Sequence, residues 1–570
     1  EDNRERIKHK WEHIKVKDKN INYTDIETAR KKYKQGLTEF INSDSNKTYV
    51  AIVPPSFGKT TIATEVIKNS DKPFVVALPT KKQRNDYAMK NNFQILEGFT
   101  DRLEQLLNST TKFNDKEKQE HKDKLTLMIN HGLNKVVYSY LAQNDMKLKN
   151  QKIDKNKTVV VTQDYLICHD DLMNNYEGLY IDENILSRTR KTIQINHKSI
   201  LDYKNCCTNT TDDLTQYDNK DLLDLFFILK EFIKNTNRNF ERKSLTDKLR
   251  LMSKKENICF DRIINNLLET DIKLNKNIIF KKIKSDYKEI PSFDFMNDLI
   301  KALKENRVYF YYSSDFGSYF EIRTTKKINT HNKKVLITDG TAQEILLKKY
   351  FDIEKIYKPN IKINNIKFTM IADRRYSASY ININEIAIKI NEISKNDLTL
   401  VIVPKPLINE LKKLVNPNVT LINFYGSENK ATNDYGNYKK AICLMPKIDF
   451  QEMFKIALSI DPSITESDFT YIFTSTGYVQ DNKEHSLNVK TFKHEILKAV
   501  LSEYRECELI QSFFRVKRND DTKEFFLMGD VSLKEFNLIP DILITEKLVN
   551  PENKIKKKDE FESIKTLFNS

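Results

Sequence analysis

The segment from residue 48 to residue 68 constrains the fold of this chain more than any other. It reads TYVAIVPPSFGKTTIATEVIK: an apolar run (49–53), a short loop that closes on Gly-Lys-Thr (58–60), and a helical pattern. This order of strand, loop and helix is typical of a phosphate-binding P-loop, in which backbone N–H groups at the start of the helix hold the phosphates. The sequence therefore predicts a nucleotide site at Pro55, Ser56, Phe57, Gly58, Lys59, Thr60 and Thr61.

Two side chains of this loop have the chemistry that a nucleoside triphosphate and its metal ion need. Lys59 can bring its positive charge to the β- and γ-phosphate oxygens, and the hydroxyl of Thr60 can bind Mg²⁺. One position departs from the P-loop pattern, because Val53 stands where the first glycine is expected. We expect the turn at Pro54 and Pro55 to replace the geometry of that glycine.

The composition of the chain favours a polyanionic partner. Its 570 residues include 95 Lys and Arg against 80 Asp and Glu, which gives a net charge of +15. Such an excess is typical of proteins that bind nucleic acid. An AT-rich genome would also enrich Lys, Asn and Ile, so part of the basic charge has this second explanation. We expect single-stranded or duplex nucleic acid as the partner, with DNA favoured over RNA.

The sequence predicts an intracellular protein that is not secreted. No apolar run approaches the ~18–20 residues of a membrane span, and no signal-peptide pattern is found. The six cysteines form no CxxC pair and no zinc-like cluster with histidine, which indicates reduced thiols. The chain begins at Glu1 rather than at Met, so we expect a fused or associated domain before it.

Short apolar runs alternate with helical stretches in two parts of the chain, which predicts α/β domains with parallel sheets. Between these parts, residues 218–305 are rich in Leu, Ile, Phe and Lys at helical spacing, which predicts a mostly helical insertion. The insertion is either an accessory domain that grips nucleic acid or a decoration of the core. The expected domains are a helical N-terminal extension (1–46), a first α/β domain (47–345) with the insertion (195–330), a second α/β domain (346–535) and a charged tail (536–570).

Adjacent carboxylates follow one of the apolar runs, in the sequence GLYIDEN (178–184). Asp182 could bind Mg²⁺, and Glu183 could act as the general base that orients an attacking water. An Asp-Glu pair after a strand is also found in ordinary solvated loops. Its position downstream of a P-loop favours the catalytic interpretation.

A third element combines an amide and two guanidinium groups in the sequence QSFFRVKR (511–518). Gln511, Arg515 and Arg518 are spaced i, i+4 and i+7, which predicts that they share one helix face. Arginine binds phosphate oxygens bidentately and keeps its charge, so this face could receive a γ-phosphate. Taken alone, the pattern is also that of a solvated helix face.

Together, these three elements resemble superfamily 2 helicases and translocases. The GKT loop resembles motif I, LYIDEN (179–184) resembles motif II, and QSFFRVKR resembles motif VI. The resemblance implies an α/β fold with two tandem RecA-like P-loop NTPase domains and the insertion in the first. It also implies that ATP and Mg²⁺ bind in a cleft between the lobes, with Lys59, Thr60 and Asp182 on one side and Arg515 and Arg518 on the other.

Four other segments resemble further helicase motifs. ALPTKKQ (77–83) resembles motif Ia, and VTQDYL (161–166) resembles motif Ib. TDGTA (338–342) stands where motif III is expected, coupling the state of ATP to lobe movement, and VIVPK (401–405) resembles motif IV. The nucleic-acid contacts that this implies are Pro79, Thr80, Lys81, Thr162, Gln163 and Lys405.

Motif V has two candidates. GSENKATNDY (426–435) precedes the apolar run KAICLMP and is favoured, with Thr432, Asn433 and Asp434 as candidate contacts; TSTGY (474–478) is the competitor. The insertion is similar to that of XPD/DinG-type DNA helicases. Their iron–sulfur cluster is not supported here, since only Cys168 lies between motifs I and II. The degenerate motifs resemble those of helicases from virus, phage or plasmid replication systems, which would also allow a virion-associated protein.

Three hypotheses for function follow. In the first, the chain is an ATP-dependent helicase or translocase, with Glu183 as base and with Lys59, Gln511, Arg515 and Arg518 in catalysis. In the second, it is a nucleic-acid-binding scaffold whose motor fold has become inactive, which Val53 favours. In the third, it is a P-loop kinase or other small-molecule NTPase, which leaves the second α/β pattern and the arginines unexplained.

Overall fold

The chain forms two mainly parallel β-sheets, an insertion and a separate hairpin in the computed structural model. The residues that the structure describes are 10–15, 23–148, 151–169, 171–207, 219–240, 242–270, 272, 274–291, 294–312, 317–372, 382–424, 435–480, 483–517 and 521–547.

The first sheet is built mainly from short apolar runs, which lie between residues 48 and 338. Its seven strands have the order β11-β2-β10-β6-β3-β5-β4. The pairs β11 with β2, β3 with β5 and β6, and β4 with β5 are parallel. These strands are β2 (Thr48–Ala51), β3 (Phe74–Leu78), β4 (Gln94–Ile95), β5 (Val159–Thr162), β6 (Gly178–Asp182), β10 (Lys334–Thr338) and β11 (Ile353–Tyr357).

Helices follow most strands of this sheet. The N-cap side chains of Asp25, Thr80 and Thr162 accept hydrogen bonds from backbone N–H groups in the first turns of their helices. The helices are α1 (Ile26–Asn42), α2 (Lys59–Lys68), α3 (Lys81–Asn91), α4 (Phe99–Ser109), α5 (Asp115–Asn130), α6 (Asn134–Gln143), α7 (Gln163–Cys168), α8 (Leu186–Thr189) and α15 (Glu344–Leu347).

The insertion is mostly helical, as predicted, but it also contains a three-stranded antiparallel sheet with the order β7-β9-β8. Alternate residues of these strands, such as Ile193, Phe310 and Ile322, are buried in one core with the apolar faces of the helices. The elements are β7 (Arg190–Asn196), α9 (His197–Cys207), α10 (Lys220–Asn235), α11 (Arg242–Lys255), α12 (Phe260–Leu268), α13 (Lys276–Ser285), α14 (Met296–Lys304), β8 (Val308–Tyr311) and β9 (Tyr319–Thr325).

The second sheet has seven strands in the order β1-β19-β12-β18-β15-β13-β14, and its inner pairs are parallel. Leu400 and Ile402 of β13 pack into one apolar core and Val401 and Val403 into another, because successive side chains of a strand point to opposite faces. The strands are β1 (Lys10–Lys15), β12 (Ile366–Ala372), β13 (Thr399–Val403), β14 (Val419–Asn423), β15 (Lys440–Leu444), β18 (Lys523–Met528) and β19 (Ile542–Lys547).

The remaining elements of the C-terminal half are helices and a two-stranded hairpin. They are α16 (Ile383–Ser394), α17 (Ile408–Leu411), α18 (Phe450–Ile460), β16 (Tyr471–Gln480), β17 (Lys483–Phe492), α19 (Glu495–Ser502) and α20 (Glu508–Phe513). Between α19 and α20 lies one turn of π-helix, Glu503–Cys507. The two parallel sheets and the insertion confirm the predicted fold class. TSTGY (474–478) lies in strand β16 of the hairpin.

Three strands depart from the predicted organisation. The extension 1–46 is not helical throughout, because Lys10–Lys15 forms β1, which pairs antiparallel with β19. That pairing also brings Ile542–Lys547 of the predicted tail into the second sheet. Beyond the predicted boundary at residue 345, β11 pairs with β2 of the first sheet. Both β11 and β1 are rich in charged residues, so the apolar runs that reveal a buried strand are missing from them.

Contacts divide the chain into two compact units. The first unit comprises Glu1–Asp71, Leu336–Met453 and Thr465–Ser570, and the second comprises Lys72–Val335 and Phe454–Ile464. The P-loop, the segment that follows β10, and helix α20 therefore belong to the first unit. Strands β3, β5 and β6 and the insertion belong to the second unit. Among the described residues, no helix has both the length and the apolar character that a membrane crossing requires.

Candidate nucleotide-binding site

A tight turn opens the loop between β2 and α2. The N–H of Phe57 donates a hydrogen bond to the carbonyl oxygen of Pro54 at 3.2 Å, and Ser56 has a φ of 67°. Proline in the second position and a positive φ in the third are the features of a type II turn. The expected Pro54-Pro55 turn is thus present. It redirects the chain directly after the fully buried Val53, where a glycine would otherwise provide the bend.

The loop ends at Gly58, which caps helix α2. This residue has φ 87° and ψ 19°, a left-handed conformation that glycine adopts at little cost. Helix α2 then begins at Lys59, so Lys59 and Thr60 stand at the positive end of a ten-residue helix. Both side chains are half-buried, Ser56 and Thr61 are exposed, and the ring of Phe57 is buried. The Phe57 side chain is therefore not accessible to a ligand.

Helix α1 supports this loop from one side. The Nε of Arg30 donates a hydrogen bond to the carbonyl oxygen of Phe57 at 2.9 Å. The Arg30 guanidinium also lies 5.9 Å from the centroid of the Phe57 ring, and the ring of Tyr33 lies 5.8 Å from the same ring. Sequence reasoning missed Arg30, since nothing in the spacing of α1 indicates which helix packs against the loop.

The segment after β10 approaches the loop from another side. The N–H of Asp339 donates to the carbonyl oxygen of Ala51 at 3.0 Å. A Cβ added to Gly340 would lie 2.8 Å from the carbonyl oxygen of Val53 and 3.1 Å from Cδ of Pro55. Real Cβ atoms do not come so close to a backbone oxygen, so this contact requires glycine. The scarcity of glycine in the sequence, 11 in 570 residues, was the available signal for this position.

Asp339 places a buried carboxyl beside the P-loop lysine. Burial raises the pKa of the Asp339 carboxyl, while the positive charge of Lys59 and hydrogen bonds from Thr341 act in the opposite direction. The carboxyl accepts from the Thr341 N–H at 2.8 Å and from the Thr341 hydroxyl at 3.0 Å. Sequence reasoning identified the segment 338–342 but not Asp339 as a member of the site.

Helix α20 and the π-helix turn before it contact the same segment. The Nε2 of Gln511 donates to the Thr341 hydroxyl at 3.3 Å, and the thiol of Cys507 donates to the Thr341 carbonyl oxygen at 3.2 Å. The loop itself reaches the chain after α20, because the Ser56 hydroxyl donates to the Lys517 carbonyl oxygen at 2.7 Å. The first unit therefore brings together three sequence-predicted elements: the P-loop, the segment 338–342, and QSFFRVKR as far as Lys517.

The predicted arginine face is not a single helix face. Helix α20 ends at Phe513, and Arg515 lies in the following turn, where its N–H donates to the Ser512 carbonyl oxygen at 3.2 Å. Phe513, Phe514 and Val516 are all buried in the core beneath this turn. Because neighbouring residues must all reach that core, a regular helix cannot continue. Arg515 is itself buried, and Arg518 lies outside the described residues.

The acidic pair ends strand β6 in the second unit. Asp182 is buried, and Glu183 has a φ of 67°, which is uncommon for a residue with a side chain. The Asn184 side chain accepts a hydrogen bond from the Leu186 N–H at 2.8 Å and so fixes the start of α8. Strained backbone of this kind is concentrated at functional sites and costs ~1–3 kcal/mol.

Gln163 supports this pair instead of facing a ligand. Its side chain is fully buried, and its Nε2 donates to the carbonyl oxygens of Asp182 at 2.9 Å and of Glu183 at 3.4 Å. In this structure the amide bonds to backbone oxygens, and the nucleic-acid contact at Gln163 stays a prediction. Glutamine can make polar contacts, as the prediction required, but here its amide donates to backbone oxygens of the protein.

The other predicted nucleic-acid contacts have mixed environments. Thr80 and Thr162 are helix N-caps, and Thr162 is buried. Lys81 is half exposed and forms ion pairs with Asp101 at 2.6 Å and with Glu104 at 3.1 Å. Pro79 is half-buried, Lys405 is exposed just after β13, and Thr432, Asn433 and Asp434 lie outside the described residues.

Comparisons with known proteins give structural likenesses only. No family model matches the chain, and no curated protein matches it. Among solved structures, an apo XPD structure is 12% identical with a TM-score of 0.44, covering 88% of this chain and 95% of that one. Xpd4 of S. tokodaii is 13% identical with a TM-score of 0.42 (89% and 99% covered), and the DUF1998 helicase MrfA bound to DNA is 10% identical with a TM-score of 0.31 (96% and 58% covered). At such identities and TM-scores, these likenesses carry no argument about the site.

Proposed function

We propose that this protein is an ATP-dependent nucleic-acid helicase or translocase. The observation that carries the proposal is the loop between β2 and α2, in which Ser56 and Gly58 take left-handed conformations and Lys59 opens the helix. Such a loop directs backbone N–H groups and a helix N-terminus at one point, which is the arrangement that binds phosphate.

The P-loop residues fit ATP and Mg²⁺. The Lys59 ammonium would contact the terminal phosphates, and the Thr60 hydroxyl would bind the metal ion. Asp182, at the end of β6 in the second unit, is the further Mg²⁺ ligand that the motif resemblance implies. Bound ATP would supply the free energy of phosphoanhydride hydrolysis. Glu183, whose backbone is held in an uncommon conformation, would take the proton of the attacking water.

The contacts of Thr341 favour a motor over a small-molecule kinase. Asp339, Gln511 and Cys507 all bond to this one residue, so a change beside Lys59 would reach helix α20 through it. A kinase has no evident use for such a connection. In a motor, these contacts would move the segment that carries Gln511 and Arg515 when ATP binds or is hydrolysed.

The net charge of +15 supports nucleic acid as the track. Exposed Lys405 is the described candidate with the clearest access to a phosphate backbone. We take single-stranded DNA as the strand to test first, with RNA as its comparison. A role in DNA replication and a viral, phage or plasmid origin are finer proposals that rest on the motif resemblance alone.

Substitution at the P-loop tests the site. Lys59→Ala should abolish ATP turnover, because the positive charge that stabilises the transferring phosphate is removed. Lys68→Ala is the matched control, since Lys68 is an exposed lysine in the last turn of the same helix. ATP turnover that survives in the Lys59→Ala protein would show that the nucleotide site lies elsewhere.

The alternative function is a nucleic-acid-binding scaffold with an inactive motor fold. Val53 was the feature that favoured it, and the type II turn now offers a structural reason for that residue. A wild-type protein that binds single-stranded DNA but neither binds nor hydrolyses ATP would establish the scaffold and reject the motor.

A further inference from the structure

The hairpin β16–β17 forms a sheet of its own, separate from the two seven-stranded sheets. Within the part of the chain that the structure describes, its ten-residue strands pair only with each other, from Tyr471 with Phe492 to Gln480 with Lys483. At ~3.4 Å per residue, such strands span roughly 34 Å. A lone two-stranded hairpin is marginally stable in water, so the body of the protein must hold it at its base.

The base of the hairpin is anchored by aromatic and cationic contacts. The Tyr471 ring centroid lies 4.6 Å from that of Phe492 and 5.3 Å from that of Phe450. The ammonium of Lys490 lies 3.5 Å from the centroid of the Tyr471 ring. These contacts fix where the hairpin begins, but they do not connect it to the nucleotide site.

Arg505 provides that connection. Its Nη1 donates a hydrogen bond to the carbonyl oxygen of Lys490 in β17 at 2.8 Å. Its Nε and Nη2 donate to Oε1 of Glu506 at 3.0 and 2.6 Å. Both residues are buried, and one guanidinium is shared between the hairpin and its own helix.

The helix turn that carries Arg505 is a π-turn, and its other side contacts the nucleotide site. Cys507, the last residue of the turn, donates to the Thr341 carbonyl oxygen. The Nε2 of Gln343 donates to the hydroxyl of Ser502, the residue just before the turn, at 3.2 Å. Single π-turns within α-helices are rare and occur often at functional sites.

Stability alone does not account for this arrangement. Burying an ion pair costs hydration free energy, and the attraction between the two charges barely offsets that cost. Replacing such pairs by apolar side chains is often neutral or stabilising. One oxygen of Glu506, Oε2, has no hydrogen-bond partner among the described residues, which adds to the cost. A buried guanidinium in this setting is better explained by the fixed geometry that its three bonds impose.

We propose that Arg505 is a positioning residue that ties the hairpin β16–β17 to the helix of Gln511, so that a change at Asp339–Gln343 moves the base of the hairpin. This inference rests on the proposed function, because the hairpin would then follow the nucleotide state and act on the nucleic-acid strand. The path is short: Asp339 to Thr341, Thr341 to Cys507, and Arg505 to Lys490.

The test uses the full chain and hydrogen exchange. Arg505→Lys keeps the charge beside Glu506 but cannot make the forked contacts to both partners. Amides around Lys490 and Phe492 should exchange at least ~10-fold faster in this variant without nucleotide, while those of α20 stay protected. Lys498→Gln is the control, since Lys498 is an exposed cation of the same helix whose partner is Glu535. Unchanged exchange at the hairpin base in Arg505→Lys would overturn the positioning role.

A second measurement adds the non-hydrolysable analogue AMP-PNP with Mg²⁺. In the wild-type protein, we expect exchange to change both at 338–343 and at the hairpin base. In Arg505→Lys, only the change at 338–343 should remain. A wild-type response confined to 338–343 would overturn the coupling. A protein that does not bind the analogue would overturn the proposed function and the coupling together, whereas the first measurement would still decide the positioning role.

Discussion

The P-loop and the segments that follow β3 and β5 carry comparable motifs, yet the structure uses their residues differently. In the P-loop, the predicted positions keep the backbone geometry that the chemistry needs, with Gly58 left-handed and Lys59 at the helix start. In the segments after β3 and β5, Thr80 and Thr162 cap helices and Gln163 bonds to backbone oxygens. A motif defined by backbone conformation can therefore be recognised in the sequence. A motif defined by side-chain contacts cannot, because the sequence does not show which partner each side chain will bond to.

After the loss of turnover expected for Lys59→Ala, the largest expected effect concerns the acidic pair. Glu183→Gln should lower the ATP turnover number by roughly 10²- to 10³-fold, because the side chain keeps its shape but can no longer take a proton. ATP affinity should change by less than about 3-fold, since general-base catalysis acts on the transition state. The control is Glu177→Gln, at an exposed residue just before β6. Equal turnover in the two variants would remove Glu183 from the mechanism.

The next effect concerns the contact between Gly340 and the P-loop. Gly340→Ala would put a Cβ 2.8 Å from the Val53 carbonyl oxygen, so the loop or the segment must shift. We expect a loss of ~1–3 kcal/mol in unfolding free energy, the usual cost of overpacking, and weaker ATP binding. Thermal unfolding and nucleotide titration measure these quantities. At Gly98, an added Cβ would meet Tyr165 at an ordinary 3.4 Å, so Gly98→Ala should bind ATP normally. Normal ATP binding by Gly340→Ala would show that the close approach does not shape the site.

A smaller effect separates the two interpretations of Gln163. Gln163→Leu leaves the carbonyl oxygens of Asp182 and Glu183 without their donor, which should cost ~1–3 kcal/mol in unfolding free energy. The affinity for single-stranded DNA should stay within about 2-fold of wild type. Weaker DNA binding at unchanged stability would instead favour the contact role that the motif implies.

The smallest effect belongs to an exposed predicted contact. Lys405→Ala should leave stability within ~0.5 kcal/mol, as is usual for a surface position. If Lys405 touches one phosphate, the slope of log affinity against log salt concentration should fall by about 0.7 for single-stranded DNA. Titrations at several salt concentrations measure this slope. An unchanged slope would leave Lys405 without a role in nucleic-acid binding.

Much of the fold was predictable, because a buried strand has a continuous run of apolar residues in the sequence. The apolar run that leads into the acidic pair forms β6 (Gly178–Asp182), and all five of its residues are buried. Strand β11 was missed because it carries charged residues and is only partly buried, and β1 because its pairing with β19 is set by distant sequence. The helix predicted at QSFFRVKR is present only as far as Phe513, and both this end and the π-turn before α20 depend on packing that no local pattern shows.

The same division holds within the candidate site. Lys59, Thr60 and Gly58 were named correctly as the loop and helix start because spacing along one segment defines them. Arg30 and Asp339 were not named, because they reach the P-loop only through tertiary packing. The arginine face was misjudged for a related reason. A helical spacing of i, i+4 and i+7 predicts a shared face only where the helix continues.

The rate of ATP turnover by the wild-type protein, measured without and with single-stranded DNA, tests the central claim most directly. A motor whose nucleotide site is connected to α20 and the hairpin should hydrolyse ATP slowly alone and several-fold faster with DNA. Turnover that DNA leaves unchanged would contradict the motor and favour a small-molecule NTPase, and no turnover under either condition would favour a scaffold.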